Sequence, residues 1–189
     1  SAMNRGAPAV EHMRIANRLD PLSPHTNIML GYILDNAGLY EEGIAKLEYT
    51  NEIFEGLPAL GFLFTAHAMS GEFERAIAAL EEGNAEYAAH LQEAYLRDGE
   101  QGYWQATANR TEEILKRRPD FFSWWAAYAR LNLGDVAGAI EMLEKGYHQR
   151  GGEMAFLLVY PLDALYDEPR FQDLLRRMNL SQPALQESK

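Results

Sequence analysis

Three segments of this chain repeat one pattern, an apolar helical run, a glycine and a second helical run, at a nearly fixed interval. They are Leu30-Gly31-Tyr32 through Gly38-Leu39-Tyr40-Glu41-Glu42-Gly43-Ile44, Leu63 through Gly71-Glu72-Phe73-Glu74-Arg75-Ala76-Ile77, and Ala126-Ala127 through Gly134-Asp135-Val136-Ala137-Gly138-Ala139-Ile140. Gly38 to Gly71 is 33 residues and Gly71 to Gly134 is 63, close to one and two periods of about 34. Such a period constrains the fold strongly, because one helix pair cannot bury its apolar face alone and must stack on its neighbours. A fourth, less regular unit is expected in the wider gap. Gly99 divides that gap into 28 and 35 residues, with Glu86 to Arg97 before it and Tyr103 to Lys116 after it.

The pattern predicts helices near 8–19, 24–37, 40–54, 57–70, 73–83, 85–98, 102–117, 120–133 and 136–149. No strand alternation competes with them. Gly38, Gly71 and Gly134 each lie just past an apolar-periodic stretch, where a left-handed residue closes a helix. Asp20-Pro21 and Arg118-Pro119 break helices between units. Beyond 150, Met154 to Tyr160 is a short apolar stretch. Asp167-Glu168 before Pro169 and the following Arg170-Phe171-Gln172-Asp173-Leu174-Leu175-Arg176-Arg177 read as a last helix with proline at its first position.

These residues resemble the tetratricopeptide repeat family. That family's pattern has an aromatic at the fourth position, Leu-Gly at the seventh and eighth, Gly at the fifteenth, an aromatic at the seventeenth, Ala at the twentieth and twenty-seventh, and Pro at the thirty-second. The first segment matches it at Leu30, Gly31, Gly38 and Tyr40. In the same register Ala9, Ala16 and Pro21 occupy the Ala, Ala and Pro positions of a preceding repeat that contributes only its second helix. The resemblance implies an all-α fold, an α-α superhelix of antiparallel helix pairs closed by a C-terminal capping helix. The expected organisation is a tag remnant and disordered start over 1–6, the second helix of a truncated repeat over 7–21, about four units over 22–150, a capping segment over 151–180 and a frayed tail over 181–189. Ser1-Ala2-Met3 reads as a tag-cleavage scar, and the half repeat suggests the end of a longer array. Residues 161 to 180, with Gly102-Tyr103-Trp104, are similar to terminal regions of bacterial proteins in which such repeats follow a nucleotidyl cyclase or a winged-helix DNA-binding domain.

Composition narrows the chemistry. The 189 residues contain no cysteine, which removes disulfides, thiolate metal sites and cysteine nucleophiles. A net charge of −11 and a pI near 4.9 are opposite to the footprint of a nucleic-acid or anionic-membrane binder. No apolar run is long enough to span a membrane, so a cytoplasmic setting is expected. His12, His25, His67, His90 and His148 show no ligand spacing, and His67 is expected as a satisfied core histidine. No phosphate-cradling or nucleophile-elbow motif is present. Glu41-Glu42, Glu81-Glu82 and Glu112-Glu113 read as solvated helix faces, and Gly151-Gly152 as a turn. Lys116-Arg117-Arg118 complements the negative end of a helix dipole. The expectation is therefore no enzyme, no catalytic residue, no metal and no cofactor.

The remaining class is a protein-interaction module that binds a peptide or partner domain in a concave groove lined by the first helix of each pair. In the repeat register the second, fifth, ninth and twelfth positions give His25, Ile28, Tyr32 and Asp35 in the first full unit and Phe121, Trp124, Tyr128 and Leu131 in the last. Phe62 and Thr65 complete the expected groove in the middle unit. The run Phe121-Phe122-Ser123-Trp124-Trp125 with Tyr128 carries more aromatic surface than a core stripe absorbs, so its rings meet either a partner or the residues 154–180. Arg130 sits at the eleventh position, usually inward and aromatic. Two roles fit it, a pair with Glu141 or Glu144 at the repeat junction or capture of a ligand carboxylate in the groove. The alternative function is a regulatory or dimerisation appendage of a longer signalling protein, in which the partner is a second copy of the chain.

Overall fold

A computed structural model of the chain describes residues 7–54, 59–118 and 124–180. Among the described residues there are eight α-helices and no strand. They are α1 (Ala7–Leu19), α2 (Pro24–Asn36), α3 (Tyr40–Ile53), α4 (Ala59–Met69), α5 (Phe73–Arg117), α6 (Trp124–Asn132), α7 (Val136–His148) and α8 (Pro169–Arg177). Short 3-10 turns at Gly152–Phe156 and Asp163–Leu165 fill the stretch between α7 and α8. The backbone of α5 leaves helical geometry at Asn84 and Gly99, so it is three segments, 73–83, 85–98 and 100–117. Both breaks fall between helices that the sequence separates. The Asn84 side chain restarts the second segment by accepting the Tyr87 N–H at 3.2 Å. The expected start over 1–6, the tail over 181–189, Pro119 and the first residues of the helices expected at 57–70 and 120–133 lie outside the described residues.

The described residues divide into two compact units, one holding those up to Ala106 with Val159–Pro161, the other those from Thr107 to Leu158 and from Leu162 to Leu180. In the first, α2 begins at Ser23, whose hydroxyl accepts the Thr26 N–H at 3.3 Å, with Pro24 at the first helical position. It ends at Gly38, where φ is +80° and the Leu39 N–H reaches back to the Leu34 carbonyl at 2.9 Å. Closure of this kind satisfies carbonyls that the last helical turn would otherwise leave orphaned. The same bond closes α4 at Gly71, from Glu72 to His67 at 2.8 Å, and α6 at Gly134, from Asp135 to Arg130 at 2.9 Å. The recurring glycines of the sequence are thus three copies of one turn, each with positive φ that a β-carbon would strain.

Helices α2 and α3 pack most tightly where Gly31 faces Gly43. A β-carbon on Gly31 would lie 2.7 Å from Leu47 Cγ, and one on Gly43 would lie 2.9 Å from the Gly31 carbonyl oxygen and would collide with the Asp35 carboxyl. The absence of both β-carbons lets Leu47 sink to zero exposure beside Ile28, Ile44 and Leu63. Val10 of α1 joins Leu30, Ile33 and Leu34 in a second cluster, against which Val159 packs.

In the second unit α6 and α7 form the corresponding pair. The positions that Gly31 and Gly43 hold in the first pair are here Ala127 and Ala139, which are fully buried, as are Ile140 and Leu143. Asp135 caps α7 by accepting the Gly138 N–H at 2.9 Å. Helix α8 buries Phe171, Leu174 and Leu175 and packs on α7. Arg170 joins the two across the surface through Glu144 at 2.7 Å.

Candidate interaction surface

Half-buried aromatic rings on the first helix of a pair are the feature on which a partner could act, and each unit carries its own set. In the first unit, Tyr32 of α2 and Phe62 of α4 meet edge to face, with ring centroids 5.1 Å apart and planes at 65°. Both are half-buried, so part of each ring faces water. Such pairs keep the quadrupoles of the rings complementary and hold the side chains in one arrangement. Thr65, one turn from Phe62, is also half-buried, and its hydroxyl donates to the Phe62 carbonyl at 2.9 Å. His25 is exposed near the start of α2, whereas Ile28 is buried in the core.

Asp35 is placed differently from an open groove position. It is 1% exposed, on the side of α2 that meets α3, with one carboxylate oxygen directed at the gap over Gly43 and no hydrogen-bond partner for that oxygen. Burial disfavours the charged form and pushes its pKa up to about 8. The reason is the rotation of α2: with Gly31 and Gly43 drawn together, the residue one turn after Gly31 turns inward with it. The neighbouring Asn36 donates to the Tyr32 carbonyl at 2.8 Å.

In the second unit the aromatic residues divide by role. Trp124 is 5% exposed, and its backbone N–H donates to the Glu153 carboxylate at 3.1 Å. Trp125 and Tyr128 are half-buried and stacked, centroids 5.4 Å apart and planes at 24°. Leu131, one turn further, is half-buried. Phe121 lies outside the described residues. Thus Trp125, which the repeat register leaves out, shares a surface with Tyr128, while Trp124, which the register selects, sits in the core. Register alone could not separate them, since an aromatic pair in successive positions looks the same from either face.

Arg130 pairs with neither Glu141 nor Glu144. Its two terminal nitrogens reach Glu112 and Asp135, each at 2.7 Å, and it is only a quarter exposed. Glu144 is instead held by Arg170 at 2.7 Å and Arg177 at 3.8 Å. The turn sets these partners: Asp135 follows Gly134 and comes back over the last turn of α6, within reach of the guanidinium. The Gly138 N–H, and then Arg130, hold the Asp135 carboxyl below the usual carboxylate range.

His67 is 4% exposed, its Nδ1 2.8 Å from a Glu72 carboxylate oxygen, so that nitrogen is paired within its own turn. No group of three or more His, Asp or Glu residues able to hold a metal occurs among the described residues. No helix among them is long and apolar enough to cross a membrane. Compared with protein-family models, curated proteins and solved structures, the chain matches none.

Proposed function

We propose that the chain is a non-catalytic interaction scaffold of the tetratricopeptide type, which takes a peptide or partner domain on the first-helix faces of its pairs. One observation carries this reading: Tyr32 with Phe62, and Trp125 with Tyr128, are rings ordered by one another yet left partly open to water. Aromatic side chains with few rotamers and large contact area are what binding hot spots are made of. The three glycine turns, 33 and 63 residues apart and closed by the same backbone bond, support the tetratricopeptide reading. The reading includes no reaction and no cofactor.

The test is selection of a displayed peptide library on the purified chain, followed by titration of the recovered peptide. Phe62→Ala is expected to weaken a peptide held by the first unit, and Tyr128→Ala one held by the second, at least about tenfold while leaving the helical circular-dichroism signal intact. A selection that returns no saturable peptide, or only peptides that both variants bind as tightly as the parent chain, removes the proposal.

A second reading rests on a different observation. Leu19 and Leu22 are 82% and 70% exposed, with Ile15 also exposed, around the end of α1. Apolar residues so placed favour association with a second copy of the chain, as a dimerisation appendage requires. Sedimentation equilibrium decides it: the proposal expects mass to rise with concentration and Leu19→Glu to abolish the rise, and a concentration-independent monomer refutes it.

A further inference from the structure

The first unit holds a cavity of about 500 Å³ between α1 and α3, with α2 as its floor. Its walls carry Arg14 and Arg18 from α1, one helical turn apart, and Lys46 and Tyr49 from α3; Leu30 and Leu34 lie beneath. Across residues 7–54 these three are the only lysines and arginines, against seven aspartates and glutamates. Chance scatter would spread the cations over the surface, yet every one lines this cavity, and of the seven acids only Glu42 does.

Glu42 is occupied, since it bridges the two walls by accepting from Arg14 at 2.6 Å. Arg18 and Lys46 have no acidic partner among the described residues. Lys46 instead stands 5.2 Å from the centre of the Tyr49 ring, and partial burial draws its pKa below the ordinary lysine value. A positive pocket therefore exists inside a chain of net charge −11, with an apolar floor made of Ala45, the Tyr49 ring and an edge of Leu30. We infer that this cavity binds a small organic carboxylate with an apolar body, its charge between Arg18 and Lys46 and its hydrocarbon against Ala45, the Tyr49 ring and the exposed edge of Leu30. Its volume is in the range of small-ligand pockets. An apolar floor offers nothing to inorganic phosphate, and a cationic rim offers nothing to a neutral hydrocarbon, so the two features together select one chemistry.

Octanoate tests the assignment, with octanamide as its neutral counterpart and octylamine as its charge-reversed one. In titrations followed by amide chemical shifts on the whole chain, octanoate should give a saturable 1:1 isotherm with the largest shifts at Leu30, Ala45, Lys46 and Tyr49. Octanamide should bind at least tenfold more weakly, and octylamine not measurably. Lys46→Glu and Arg18→Glu should each weaken octanoate about tenfold, with the thermal midpoint checked in parallel; Lys46→Gln, which adds no charge, keeps the test valid if a reversal disturbs folding. The inference is overturned by octanamide binding as well as octanoate, by shifts that never saturate or map elsewhere, or by unchanged binding in the three variants.

Discussion

The α2–α3 and α6–α7 pairs are closed by the same left-handed glycine and the same backbone bond, yet they handle charge in opposite ways. In the first, two glycines bring the helices together and a lone carboxyl, Asp35, is enclosed. In the second, the same two positions are the fully buried alanines Ala127 and Ala139, and the charge at the position before the corresponding one, Arg130, lies at the rim with two acids around it. The turn thus dictates connectivity, while the size of the residues at the crossing decides what the junction can contain. A contact with no β-carbons sequesters the side chain next to it and leaves no room for a counter-charge.

The sharpest way to break this contrast is to give the first pair the second pair's alanine. Gly43→Ala should destabilise the chain by about 2–3 kcal/mol, because the new methyl meets the Gly31 carbonyl and the Asp35 carboxyl rather than a side chain free to move. Urea unfolding measures it, and a loss under about 0.5 kcal/mol, the level of a surface substitution, would show that the pair is not closed at that point.

Next comes the enclosed acid. Its pKa of about 8 stands above the ordinary 3.8, so folded Asp35 keeps a proton that the unfolded chain gives up between those values. Stability from this group is complete below pH 3.8 and declines as pH rises through about 8. Asp35→Asn, which cannot ionise, should match the parent chain near pH 4 and exceed it by at least about 1 kcal/mol at pH 8.5. Equal urea midpoints for the two chains at pH 8.5 would refute the account.

A smaller effect is expected in the second pair, whose charges remain half in water. Arg130→Met should cost about 1 kcal/mol at low salt, shrinking in 1 M salt, since screening weakens exposed ion pairs. An effect of similar size, but dependent on pH rather than salt, concerns Asp135. Its carboxyl titrates below the ordinary range, so its capping contribution is present above the normal carboxylate pKa and is lost as the solution is acidified through its lowered one. Asp135→Ala should therefore cost a cap's worth of stability, roughly 1 kcal/mol, at pH 7 and progressively less towards pH 2, followed by thermal melts at both pH values.

Much of the helical layout was legible in the residues. The glycines announced three turns because left-handed backbone geometry is a local property of one residue, and Pro169 announced the start of α8 for a similar reason. Even the irregular stretch was readable at Gly99, though Asn84 shows its role only once its side chain is seen to cap. The candidate surface was legible in part. Tyr32 and Phe62 come together, whereas Asp35 turns inward and Trp124 yields its place to Trp125. Arg14 and Arg18, four apart on one helix, carried a signal of a cationic face, but Lys46 lies 28 residues further along and nothing local links it to them.

By itself, then, the sequence determined where helices begin, end and turn, because those choices depend on φ angles, caps and apolar spacing within a few residues. Tertiary structure alone decided which way each helix is rolled, and with it the burial of Asp35, the partners of Arg130 and the gathering of Arg14, Arg18 and Lys46 around one cavity. A roll of a helix by one residue moves a side chain by about 100°. That angle is settled by which neighbours can approach, here by two glycines with no β-carbon between them.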